Sequence, residues 1–320
     1  MKPRDAGAFT LIELLVGLVL TTVLVGAMLA VAGPMLELWR RVGGGLVAEA
    51  QATAALDALE RDIQSLVVAP PGGGQWLVVS LDGDAAELGR RGWTLGPRIK
   101  PDARRDLATR SPVGDAVLPE SARFGRGGAW LRLFAAQPEA DGGLPVALSY
   151  QILRRAPGSR PGPATAIRYV LCRSAVDPAR TLAAGFDLGA ADYRSGSAAA
   201  RRPATITRPN LSDDALAVNV LDFGVVVARV DGRGEEERVF PAGPVGGALV
   251  LAGEPAEGIT WVVDVVVRIA TEEGARRLAA LEAARPASPP GATWEEAWWR
   301  VAEAHSRVYR RRVLVRSGGS

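Results

Sequence analysis

Twenty-three uncharged residues, Leu14–Leu36, lie between Glu13 and Glu37 near the start of a 320-residue chain. As a helix this run is roughly 35 Å long, enough to cross a hydrocarbon core of about 30 Å. Gly33-Pro34 predicts a kink of the kind membrane helices tolerate. Gly43-Gly44-Gly45 predicts a break or hinge. Beyond it Leu56, Leu59, Ile63 and Leu66 recur at helical spacing, which gives one apolar face to pack on a head domain. Asp57 and Arg61 are placed to pair across one turn on another face. Pro70-Pro71-Gly72-Gly73-Gly74 is expected to end this helix.

The pattern then changes to short apolar runs separated by turn residues. Gln75–Leu81, Ala129–Ala135, Val146–Arg154 and Ala166–Arg173 read as strands. Two longer Val-rich runs follow, Leu216–Val230 and Ile259–Ala270. The Pro/Gly-rich segment 155–165 reads as a loop, as does the Ala/Gly/Arg stretch from about Ala183 to Pro209. Two late helices are predicted, Glu272–Ala284 and Trp294 to about His305, and a final strand covers Arg307–Arg316. A long N-terminal helix followed by strand runs defines an α+β chain.

Composition adds little chemistry. Hydrophobic residues are 48% and charged residues 23%, ordinary values for a folded protein. A formal net charge of +3 without a long basic block gives no nucleic-acid-binding signature. Only Lys2 and Lys100 are lysines among the 38 basic residues, a bias that fits a GC-rich genome better than a functional arginine patch. The single cysteine, Cys172, precludes an intramolecular disulfide and sits in a strand-like run as a core thiol. His305 is the only histidine, so neither a histidine-based metal site nor a conventional triad can be assembled. Asp82-Gly83-Asp84 with Glu87 is acidic, but the twelfth position of an EF-hand loop starting there is Trp93 and not Glu. It reads as a solvated turn, with a calcium loop as the sharper alternative. Trp294 and Trp298 share a helix face, either as core or as a contact surface for another subunit. No cofactor site, metal site or catalytic residue is expected.

The N-terminus carries the strongest signal. Lys2 and Arg4 precede small residues and then Phe9-Thr10-Leu11-Ile12-Glu13-Leu14-Leu15-Val16. A secretory signal peptide has a shorter apolar core and a small-residue cleavage site after it. An ordinary anchor leaves Glu13 unexplained. The segment resembles the processing signature of type IV prepilins and type II secretion pseudopilins. That resemblance implies cleavage by a prepilin peptidase just before Phe9 and methylation of the new amine. It also implies a hydrophobic helix retained as membrane anchor and filament core. The family usually has Gly directly before Phe; here Ala8 stands between Gly7 and Phe9. Cleavage after Ala8 puts Glu13 at the fifth mature position, as the family expects, while cleavage after Gly7 shifts it by one. In the family this glutamate is thought to meet the N-terminal amine of a neighbouring subunit, so that two buried charges offset each other's desolvation. A purely local role, neutralising its own terminus, is the alternative for Glu13.

The resemblance therefore implies a pilin-like α+β fold: leader 1–8, membrane and filament-core helix 9–36, amphipathic helix 37–69 and β-rich head 70–320. The strand-rich head and the segment "WVVDVVVRIATEEGARRLAALE" look most like minor pseudopilin J of type II secretion. PilW-type minor pilins, serving pilus assembly or DNA uptake, are the rival within the class. A membrane-anchored periplasmic enzyme or binding protein is the rival outside it. The expected partners are prepilin peptidase, other pseudopilins or minor pilins, and the inner membrane, with the leader cytoplasmic and the head periplasmic. Processing is assigned to Gly7, Ala8 and Phe9, and assembly to Glu13.

Overall fold

The computed structural model describes residues 11–68, 70, 72–81, 100–101, 123–136, 145–155, 168–190, 193, 215–241, 248–253, 259–284 and 293–316. The chain divides into two compact units, residues 1–47 and 48–320. Helix α1 covers Leu11–Gln64, with the unit boundary inside it. The backbone is helical through Gly43–Gly45, where the sequence predicts a break. A helical glycine costs only about 1 kcal/mol relative to alanine, and each residue added to an existing helix closes another backbone hydrogen bond.

In the second unit, Ala48, Ala52, Ala55, Leu56, Leu59 and Ile63 form the buried stripe of α1. Leu66, expected on this stripe, lies beyond the helix end and bridges Ala135 instead. The helix thus stops at Gln64, before the Pro/Gly run, because the chain is captured by strand pairing. The expected Asp57–Arg61 pair is also redirected. Asp57 receives Arg311 at 2.9 Å, and Arg61 donates to the Asp57 carbonyl.

Among the described residues ten strands follow: β1 (Gln75–Leu81), β2 (Ala129–Ala136), β3 (Pro145–Arg155), β4 (Arg168–Ala175), β5 (Ala215–Val218), β6 (Val220–Val230), β7 (Glu236–Phe240), β8 (Ala248–Ala252), β9 (Thr260–Ala270) and β10 (Ser306–Arg316). Short helix α2 (Pro178–Ala184) follows β4, and α3 (Glu272–Ala283) and α4 (Trp294–Ala304) lie between β9 and β10. One sheet has the order β5-β4-β3-β2-β1-β8 and the other β10-β9-β6-β7, with every pairing antiparallel. Strands β2, β3, β6 and β9 are buried along most of their length. Both of their faces are covered, so they read as near-continuous apolar runs and not as alternating ones.

The predicted run Leu216–Val230 is two strands in two sheets. Asn219 interrupts it at φ 60°, a left-handed conformation that Asn adopts more readily than other non-glycine residues. Its carbonyl accepts from the Ala270 N–H, and its side-chain amide donates to Glu272. This one-residue corner carries the chain from the first sheet into the second. Helix α2 and strands β7 and β8 have no counterpart in the sequence reading. They are seven, five and five residues long, too short for a periodicity to emerge.

A polar clasp ties the C-terminal turn of α1 to the first sheet. Asp62 accepts the Tyr150 hydroxyl from β3 and two hydrogen bonds from Arg173 on β4, at 2.7 and 3.0 Å. Burial, reinforced by the Asp62 charge, pushes the Tyr150 hydroxyl well above its ordinary range, so it stays a donor. Asp62→Ala leaves Arg173 and Tyr150 without their acceptor. It should destabilise the full chain by about 3 kcal/mol, read as a lower denaturant midpoint in non-ionic detergent.

Candidate functional site: the N-terminal helix and the head it carries

In the first unit, Leu14–Ala32 is a 19-residue helical segment long and apolar enough to cross a membrane, and none of it is buried within the chain. Its leucines, valines and methionines point outward, Leu18 and Leu29 at 65% and 68% exposure. Leaving such side chains in water forgoes about 1.5–3 kcal/mol each, which makes lipid or other helices their natural surroundings. The polar groups in the segment are already satisfied. Thr21 Oγ1 donates to the Gly17 carbonyl at 2.7 Å, and Thr22 Oγ1 to that of Leu18 at 2.8 Å. Hydroxyls that bond back to their own helix place no unmet donor in a hydrocarbon phase.

The backbone of Glu13 lies in this helix. Gly7, Ala8 and Phe9 lie outside the described residues, as do Asp82, Gly83, Asp84 and Glu87 of the acidic turn. Among the described residues no group of three or more His, Cys, Asp or Glu could hold a metal ion.

The remaining candidates fall in the head. Cys172 is a buried thiol on β4. His305 caps the C-terminus of α4, donating its backbone N–H to the Val301 carbonyl. Trp294 and Trp298 are buried, at 5% and 0% exposure, so of the two readings of this face the core one holds and the contact surface does not. Helix α4 begins with a capping box between Thr293 and Glu296, which sets the phase that turns Trp298 and Trp299 inward.

Trp298 reports a buried polar centre that its spacing alone did not reveal. Its indole N–H donates to Glu282 of α3 at 3.0 Å. Tyr169 of β4 donates to the same carboxylate oxygen, and Arg154 of β3 reaches the other at 3.4 Å. Burial raises the Glu282 pKa. It also pushes the Tyr169 hydroxyl well above its usual range, helped by the Glu282 charge.

A second centre was likewise hidden. Lys100, the one lysine besides Lys2, is fully buried and meets Asp222 of β6 at 3.1 Å. The Asp222 carboxylate also accepts the Phe124 and Phe223 N–H groups, at 3.0 and 3.2 Å. The Lys100 backbone N–H donates to the Tyr169 hydroxyl, and its ammonium lies 5.6 Å from the Trp299 ring. One residue of the long β1–β2 connection is thereby tied to both sheets and to α4. The Phe124 ring lies against Gly224, where an added Cβ would sit 2.1 Å from it, so β6 needs glycine there. The available sequence signal was a lysine kept where the chain otherwise uses arginine.

With this arrangement in view, the comparison with known families is specific to one segment. Residues 3–29 match the prokaryotic N-terminal methylation motif. No curated protein and no solved structure matches the chain. The motif and the exposed apolar helix support a type IV prepilin-like protein, membrane-anchored, with a pilin-like α+β fold.

The buried carboxylate sets a pH dependence. A carboxyl whose pKa rises on folding holds its proton more tightly in the native state. Stability is therefore lost as pH rises from the ordinary glutamate value of 4.5 through the raised native one. Glu282→Gln keeps an acceptor for Tyr169 and Trp298 but cannot ionise. The wild-type advantage over this variant should shrink as pH rises from about 4 to about 7, read from denaturation midpoints along a pH series.

Proposed function

We propose that the chain is a non-enzymatic structural subunit, a minor pseudopilin of a type II secretion-type pseudopilus. The observation that carries this reading is the methylation motif at residues 3–29, coinciding with an apolar helix that the rest of the chain leaves uncovered. The size and strand content of the head, ten strands in two sheets among the described residues, support the minor-subunit reading. In this scheme prepilin peptidase removes residues 1–8 on the cytoplasmic side of the inner membrane. Phe9 becomes the methylated terminus, and the head lies in the periplasm. The apolar helices of neighbouring subunits then bundle, exchanging lipid contacts for helix contacts. Glu13 sets axial register by pairing with a neighbour's terminal amine, each charge offsetting the desolvation of the other.

Mass spectrometry of the mature N-terminus isolated from membranes should find methylated Phe9. An unprocessed Met1, or a cut near Ala32, would overturn the proposal. A second expected outcome concerns Glu13→Ala, which should be processed normally yet recovered poorly from sheared filaments. Wild-type recovery of that variant removes the register role.

A further inference from the structure

The last register pair of the β3–β4 hairpin is Arg155 opposite Arg168. Like charges directly opposed across an antiparallel ladder repel. Side chains alternate along each strand, and the neighbouring pair Arg154–Tyr169 turns to Glu282. Arg155 and Arg168 therefore share the other face of the sheet, beside the small cluster of Leu153, Val170 and Cys172. Arg168 Nη2 is met by Glu272 at 2.6 Å. Among the described residues Arg155 has no such acid. Its Nε, Nη1 and Nη2 are all buried without a hydrogen-bond partner among the described residues, and so is Arg168 Nη1.

Four buried guanidinium nitrogens without a partner, on two arginines opposed in the strand register, are costly as they stand. Water can supply acceptors but not charge. An anion with several oxygen acceptors supplies both, and a guanidinium fork matches two oxygens of such a group at once. We propose that the neck of the β3–β4 hairpin binds a free tetrahedral oxyanion of the inorganic phosphate class. Arg155 is its principal ligand, with Arg168 shared between the anion and Glu272. The anion cancels the repulsion between the two cations and fixes the hairpin base.

The test is thermal unfolding of the full chain in lipid-free non-ionic detergent, titrated with sodium phosphate against sodium chloride at matched ionic strength. Phosphate should raise Tm saturably by about 3 °C or more. Arg155→Gln should abolish the shift, and Arg155→Lys, which keeps the charge without the fork, should weaken it. Arg180→Gln, on exposed α2, should keep it in full. Equal shifts with phosphate and chloride, or an undiminished shift in Arg155→Gln, would overturn the proposal. So would a shift that appears only when phosphatidylglycerol is added to the micelles, which would assign the effect to a lipid headgroup.

Discussion

The head depends on burying one stripe of a helix whose other faces stay largely exposed. Ala48, Ala52, Ala55, Leu56, Leu59 and Ile63 remove that stripe from water, and the alanines allow the sheets to approach closely. Apolar burial has no direction, so it cannot by itself set the rotation or height of the helix. Directional contacts do that. Asp62 takes Tyr150 and Arg173 on one side, while Asp57 and Glu60 take Arg311 of β10 on another. The two groups draw on opposite sheets, so the same two turns of helix bring β3, β4 and β10 to one place.

Arginine has a structural role throughout this head. Arg173, Arg310, Arg311 and Arg312 each meet a carboxylate on another element. Arg123 lies 4.4 Å from the Trp299 ring and also pairs with Glu303. A planar fork keeps two contacts in register, which suits pairs that are partly buried at sheet edges and helix ends. The exception is Lys100, where a compact ammonium fits beside Asp222 under Trp299.

The anchor obeys a different constraint. Among the described residues of the head most long apolar side chains are buried, with Leu182, Val250 and Leu314 as exposed exceptions; along Leu14–Ala32 none is buried. Among the described residues nothing covers that surface, and its side chains suit an apolar environment such as lipid. The self-satisfied hydroxyls of Thr21 and Thr22 add no polar penalty in such an environment.

Sequence by itself determined what is local and periodic. It showed the apolar N-terminal helix, the motif at residues 3–29, the long strands and the two late helices. These are written in runs of ten or more residues or in fixed short order, so neighbours along the chain are enough to read them. Tertiary structure alone decided the rest. The corner at Asn219 depends on Glu272 and Ala270, about fifty residues away in sequence. The end of α1 at Gln64 depends on Ala135, and the fate of Asp57 on Arg311. Lys100, Asp222 and Trp299 form one buried centre only once three separate segments converge. Polar groups buried at long sequence separation carry no periodicity, because what selects them is the partner that folding delivers.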